Sequence, residues 1–325
     1  MVTHRPTSIT RMATVTSPLT RADVLAAAER IHGRVHRTPT FTSETLGKQV
    51  WLKAELFQKT GSFKVRGVLN KLASLTQEER ERGVIGVSAG NHAQALAWGA
   101  AVEGLDALVV MWRSASSAKI AATRGYGATV DLGATGPGDA FDRLQKLLEE
   151  TGRTLVHPFD DPLVQAGQGT VALELLEDAP AVETIVVPAG GGGLVAGIAA
   201  AAAADGRRIV AVEPELSTAV HEALATGRSV RVTPTSIADG LSGPFCGENA
   251  LATLQRYGVE SVLVSEREIE DAFRFLYTRA KLACEPAGAV GVAAILTGKV
   301  SGSVAAVVSG GNVAPEIASA ILASR

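Results

Sequence analysis

The chain has 325 residues, 46% of them hydrophobic and 20% charged, with a formal net charge of −2. That length exceeds one small core and suits two domains, and the composition is that of an ordinary globular protein. So even a charge balance gives no electrostatic ground for a nucleic-acid or anionic-membrane partner.

Residues 1–17 lack the apolar core of a signal peptide and are expected to form a flexible arm. No uninterrupted apolar stretch reaches the length of about 18 residues that a membrane-spanning helix needs. Cys246 and Cys284 stand outside any C-x-x-C or zinc-ligand spacing. They read as reduced, buried thiols of a cytoplasmic protein. Thr20 caps a helix predicted over Arg21–Ile31, with Val24, Leu25, Ala28 and Ile31 along its apolar stripe. A short strand at Val50–Leu52 and a helix from Val65 to Leu75 follow.

From there strands and helices alternate. Strands are predicted at Gly83–Val87, Ala107–Met111 and Ala128–Leu132, with helices at Ala93–Val102, Ser117–Arg124 and Gly138–Thr151. The second half repeats the alternation, with strands at Thr184–Val187, Ile209–Glu213, Ser261–Val264 and Val304–Ser309. Its helices are Leu194–Ala204, one opening at Glu266–Asp271, and Pro315–Leu322. Strands that are apolar throughout belong to parallel sheets covered on both faces. There are too many units for one open sheet, so the fold class is α/β with two parallel-sheet domains.

Gly190, Gly191, Gly192 and Gly193 join the Thr184–Val187 strand to the Leu194 helix. Such a run lets backbone N–H groups at a helix start approach an anion, so it reads as a phosphate cradle. It also satisfies G-x-G-x-x-A through Gly191, Gly193 and Ala196, with Glu213 at the place of a ribose-binding acid. On these residues alone, an NAD-dependent oxidoreductase stays open.

Residues 57–67, Phe-Gln-Lys-Thr-Gly-Ser-Phe-Lys-Val-Arg-Gly, resemble the lysine motif of the threonine/serine dehydratase and serine racemase family of pyridoxal-phosphate enzymes. Three further motifs resemble it in the same order: Ser-Ala-Gly-Asn-His-Ala-Gln at 88–94, the four glycines, and Ser-Gly-Gly-Asn at 309–312. The resemblance implies the fold type II arrangement, that of the tryptophan synthase β chain. A small domain of residues 76–155 would be inserted into a large one of residues 18–75 and 156–325. Lys64 would carry pyridoxal 5'-phosphate as a Schiff base and act as general base. Phe63 would support the ring, Asn91 bond its phenolic oxygen, Ser309 face its nitrogen and Gly190–Gly193 hold its phosphate. The loop Ser88, Ala89, Gly90, Asn91 and His92 would bind the substrate carboxylate, with His92 structural. Glu285 either lines the site or merely opens a helix. A hydroxyl at Ser309 leaves the ring closer to neutral, a weaker electron sink that suits β-elimination.

The context Phe63-Lys64-Val65 and Asn91-His92-Ala93 resembles the dehydratase/racemase branch, not the sulfur-incorporating synthases. Racemases of this pattern carry a Ser where this chain has Ala89. The expected reaction is therefore dehydration and deamination of a β-hydroxy amino acid such as L-threonine or L-serine, with racemisation and a hydroxyaspartate-type ammonia-lyase as alternatives. No metal is expected: relatives that use a cation place a second acid where Ala219 stands, leaving Glu213 alone. A homodimer is the assembly the resemblance implies.

Overall fold

The computed structural model describes residues 17–324, so all but the last residue of the expected arm lies outside the described residues. The first part of the chain gives α1 (Arg21–Ile31), β1 (Thr40–Thr42), β2 (Val50–Ala54) and α2 (Lys64–Ala73). The middle runs α3 (Gln77–Arg82), β3 (Val84–Val87), α4 (Asn91–Glu103), β4 (Ala107–Trp112), α5 (Ser117–Gly125), β5 (Thr129–Ala134), α6 (Pro137–Thr151) and β6 (Thr154–Leu155). Then come α7 (Pro162–Asp178), β7 (Thr184–Pro188), α8 (Gly193–Ala202), β8 (Arg208–Pro214), α9 (Ala219–Thr226) and α10 (Glu248–Arg256). The chain ends with β9 (Glu260–Val264), α11 (Glu266–Phe275), α12 (Pro286–Leu296), β10 (Val304–Val308) and α13 (Pro315–Ala323).

Two sheets result, as expected of the α/β class. One has the order β1-β2-β10-β7-β8-β9, the other β5-β4-β3-β6. All neighbours are parallel except β1, which runs antiparallel to β2. The alternation of side chains along a strand divides the large sheet's core in two. Ile185, Val187, Ala211, Ala305 and Val307 pack with α1, α7, α8 and α10. Val186, Val210, Val212, Ala306 and Val308 pack with α11, α12 and α13 on the other face. This is why these strands read as unbroken apolar runs.

The α1 stripe needs one correction. Thr20 and Asp23 form the capping box, and Val24, Ala27 and Ile31 are buried, but Leu25 is 48% exposed. At about 100° per residue, position 25 has already turned away from the line joining 24, 27 and 31. The 17-residue helix α7, not foreseen from periodicity, is buried along most of its length and so carries no single apolar stripe. It crosses α8 backbone to backbone: a Cβ on Gly197 would lie 2.2 Å from the Gln165 carbonyl.

A buried ionic network fastens α2 to this frame. Arg66 grips Glu55 through Nε and Nη2, both at 2.8 Å, and reaches Glu174 on α7 at 2.7 Å. Lys53 on β2 donates to Glu174 and to the Thr38 carbonyl, each at 2.7 Å. Arg66, Lys53 and Glu55 are fully buried. Arg66→Met would leave the buried carboxylate of Glu55 without its cationic partner, while Glu174 keeps Lys53, and should lower the unfolding free energy by about 3–5 kcal/mol. Urea unfolding of the variant measures this; a loss no larger than the ~1 kcal/mol typical of a surface pair would show the network to be dispensable.

Candidate active site

The strand-to-helix loops singled out in the sequence open at the carboxyl ends of parallel strands, where α/β sheets form their crevices. Ser88, Ala89 and Gly90 follow β3, the four glycines follow β7, and Ser309 follows β10. Lys64 opens α2, and the turn before it is stitched to the end of β10: Phe63 N–H donates to the Ser309 carbonyl at 3.2 Å, and Ser62 bridges Gly310. The first and last motifs of the chain thus form one wall.

Lys64 keeps some surface toward the crevice, yet its amine is densely surrounded. Its Nζ lies 5.2 Å from the Phe63 ring centroid and donates to the Pro158 carbonyl at 2.7 Å. No carboxylate pairs with it. Burial pushes its pKa down to about 8, and Glu285 only partly opposes this. Pro158 is presented by a turn that His157 shapes, Nδ1 accepting from Asp160 N–H at 2.8 Å. His157 stays neutral, its pKa lowered to about 4 by burial.

Asn91 and His92 begin α4, and Glu285 stands at the N-cap of α12. Glu285 does not cap that helix. Its Oε1 accepts from Asn91 Nδ2 at 2.7 Å, and burial, together with Asp239, raises its pKa to about 7. His92 is buried, bonds the Val156 carbonyl through Nε2 at 2.9 Å, and is held neutral with a pKa near 3, chiefly by burial. Ser88 Oγ accepts from Gly90 N–H at 3.1 Å. Among the described residues, the N–H groups of Ala89, Asn91 and His92, and those of Gly190 to Gly193, meet no protein acceptor. These are two separate sets of free N–H groups, each at a helix start. The glycine loop lies directly on an aromatic ring: a Cβ on Gly191 would sit 2.3 Å from Phe159.

Glu213 is engaged elsewhere. Its two oxygens accept the N–H groups of Val220 and His221 at 2.8 and 2.6 Å, at the start of α9. Fully buried and turned to the start of α9, it serves as a helix anchor and is not presented to a ribose as the dinucleotide reading needs. No group of three or more His, Cys, Asp or Glu among the described residues could hold a metal ion, and no described helix is long and apolar enough to cross a membrane. Both cysteines are unpaired and buried.

Several contacts carried no sequence signal. Besides Pro158, Lys119 on α5 pairs with Asp239, and Phe141 on α6 meets Phe245 with ring centroids 5.8 Å apart. Both join the smaller sheet's helices to the loop that follows α9. Asn312, quoted within its motif but given no task, donates to Asn91.

A family model described as pyridoxal-phosphate dependent enzyme matches residues 31–310. An L-threonine ammonia-lyase of Thermotoga maritima is 43% identical over 305 residues, 91% of this chain and 76% of that protein. Among solved structures, maize serine racemase superposes with a TM-score of 0.87 at 35% identity, covering 92% of this chain and 95% of that one. The processed form of threonine deaminase isoform 2 from Solanum lycopersicum gives 0.86 at 30% identity, covering 94% and 92%. The residues present fit the family's cofactor. A desolvated amine without an ion-pair partner suits an aldehyde, and four free N–H groups on a loop whose Cα atoms press on Phe159 suit a phosphate. From its glycine loop to its desolvated lysine, the chain belongs to the family of pyridoxal-phosphate-dependent enzymes.

Proposed function

We propose that this enzyme is a pyridoxal-phosphate-dependent ammonia-lyase that converts L-threonine or L-serine to the corresponding 2-oxo acid and ammonia. The observation that carries the reading is Lys64, a buried amine with no carboxylate partner, set between two groups of free backbone N–H donors. The bound cofactor supplies an electron sink for the electron pair left when the substrate loses its α-proton.

This chain's residues have distinct tasks in that reaction. Lys64 would hold the cofactor and would take the α-proton of the substrate; a pKa near 8 leaves a useful neutral fraction at ordinary pH. The Pro158 carbonyl gives the freed ammonium a partner without adding a counter-charge. The N–H groups of Ala89, Asn91 and His92 hold the substrate carboxylate, and those of Gly190 to Gly193 hold the phosphate. Phe63 flanks the ring. The hydroxyl of Ser309, which meets no hydrogen-bond partner among the described residues, would face the ring nitrogen as a neutral neighbour. Asn91 addresses the ring oxygen, with Glu285 behind it.

Serine racemase among the structural relatives makes epimerisation the second reading. Ala89 disfavours it. The position offers only a methyl group where a proton donor for the opposite face would be needed. The reading extends to residues 76–155 as a small domain over a larger one, and to a cytoplasmic homodimer. The unpaired thiols accord with a reducing compartment, and a mass measurement in solution tests the dimer.

Borohydride reduction of the cofactor-loaded enzyme, followed by peptide mapping, should place the pyridoxyl group on Lys64; an adduct on another lysine would overturn the assignment. The rate of cofactor uptake by the apoenzyme should rise with pH through about 8, roughly tenfold between pH 7 and 9, because only the neutral amine attacks a carbonyl. Stopped-flow absorbance measures it, and a flat profile over that range contradicts a depressed Lys64. With L-serine, the parent should release 2-oxo acid with little epimerised substrate, whereas Ala89→Ser should raise the epimerised fraction. Chiral chromatography of residual substrate checks both, and fast epimerisation by the parent would mean that another acid serves that face.

A further inference from the structure

A side-chain amide is nearly symmetric in shape, so its hydrogen-bond partners alone decide which end is oxygen and which is nitrogen. At Asn91 that choice matters, because only the nitrogen end can donate to a ring oxygen. Asn91 has two neighbours. Its Nδ2 donates to Glu285 at 2.7 Å, and its Oδ1 accepts from Asn312 Nδ2 at 2.8 Å.

Glu285 cannot fix the choice by itself. With burial holding its pKa at about 7, it is partly protonated near neutrality. A protonated carboxyl can accept from an amide N–H or donate to an amide oxygen. Asn312 has no such latitude. One hydrogen of its Nδ2 goes to Asn91, and the other to the Thr60 carbonyl, also at 2.8 Å. A backbone carbonyl only accepts, so this second bond fixes which end of Asn312 is nitrogen. Asn312 then faces Asn91 as a donor and nothing else, and Asn91 must answer with its oxygen.

The turn that receives Asn312 is shaped for it. Gly61 has a φ of +74°, and a Cβ there would stand 2.5 Å from Asn312 Oδ1. Gly311 N–H donates to the Gly61 carbonyl at 2.9 Å, locking the 309–312 motif onto the turn that leads into Lys64. A line of hydrogen bonds therefore runs from Thr60 through Asn312 and Asn91 to Glu285. It ends with one Nδ2 hydrogen of Asn91 unspent among the described residues.

We infer that Asn312 is a positioning residue: it holds the Asn91 amide in the single orientation that offers an N–H to the ring oxygen of the cofactor. The inference rests on the cofactor reading above and adds to it a residue that need not touch cofactor or substrate.

The experiment is a double-mutant cycle on the full chain, comparing the parent, Asn312→Ala, Asn91→Ala and the double variant. Pyridoxal phosphate is titrated into each apoenzyme, and the visible band of the bound cofactor is followed against pH; circular dichroism checks the fold. Asn312→Ala should weaken cofactor binding about tenfold, the size of one ordinary hydrogen bond, and move the band's pH midpoint in the same direction as Asn91→Ala. In the Asn91→Ala background, removing Asn312 should change affinity and midpoint by less than about twofold, because nothing is left to orient. Should Asn312→Ala not fold, Asn312→Ser, which keeps a short donor, is carried through the same cycle and should fall between parent and Asn91→Ala. An unmoved band in Asn312→Ala or in Asn91→Ala, or a second full tenfold loss in the double variant, overturns the inference. A parent that develops no visible band at all overturns the cofactor reading instead, so the two failures are distinguishable.

Discussion

The arrangement of the site depends on a set of charges buried well behind it. Arg66, Lys53 and Glu55 sit where water cannot solvate them, so each must be matched by an opposite charge held at hydrogen-bond distance, and Glu174, at the edge of the buried region, supplies part of that charge. Meeting that condition fixes β2, α2 and α7 relative to one another, because the partners come from all three elements. Lys64 lies two residues before Arg66 on the same helix. The Lys64 amine thus inherits its position from a network that does not bond to it. This division of labour lets the amine remain without a partner of its own: the charge pairing has been done one half-turn away.

Electrostatically the site is built from peptide groups, with few charged side chains. The donors it offers to an anion are N–H groups at the starts of α4 and α8, where helix geometry leaves donors unsatisfied and the dipole favours negative charge. A cationic side chain in the same place would raise the cost of protonating Lys64 further and would compete for the carboxyl of Glu285. The near-neutral net charge of the chain accords with this design: such donors act by shape and direction, with no broad positive field to attract polyanions.

Much of this was legible in the sequence because it is local. The four glycines, the Phe63-Lys64 pair and the Asn91-His92 turn each keep their meaning within a few residues of chain. The unbroken apolar runs of β7 and β8 and the periodic pattern of α6 were readable for the same reason. What escaped depends on contacts between distant segments. β1 has three residues and is a strand only because β2 pairs with it. Helix α7 is buried among several neighbours, which erases the alternation that would reveal it. The Pro158 carbonyl has no side-chain signature, and Asn312 acquires its task only when residues 60, 91 and 312 meet. Glu285 shows the limit most clearly. The sequence left it open between lining the site and opening a helix; its side chain turns from its own helix to Asn91, 194 residues earlier in the chain.

The two bridges between the smaller sheet's helices and the loop after α9 differ in kind. Lys119 and Asp239 form an ion pair whose acid is 58% exposed, while Phe141 and Phe245 meet as apolar rings. Mobile ions screen the first; the second is insensitive to dilute salt and is reinforced by strongly hydrated anions such as sulfate. The smaller sheet's helices are therefore joined to this loop by two contacts with different responses to the medium. Added simple salt therefore weakens one of the two contacts and leaves the other in place, so the link between these segments does not depend on charge pairing alone.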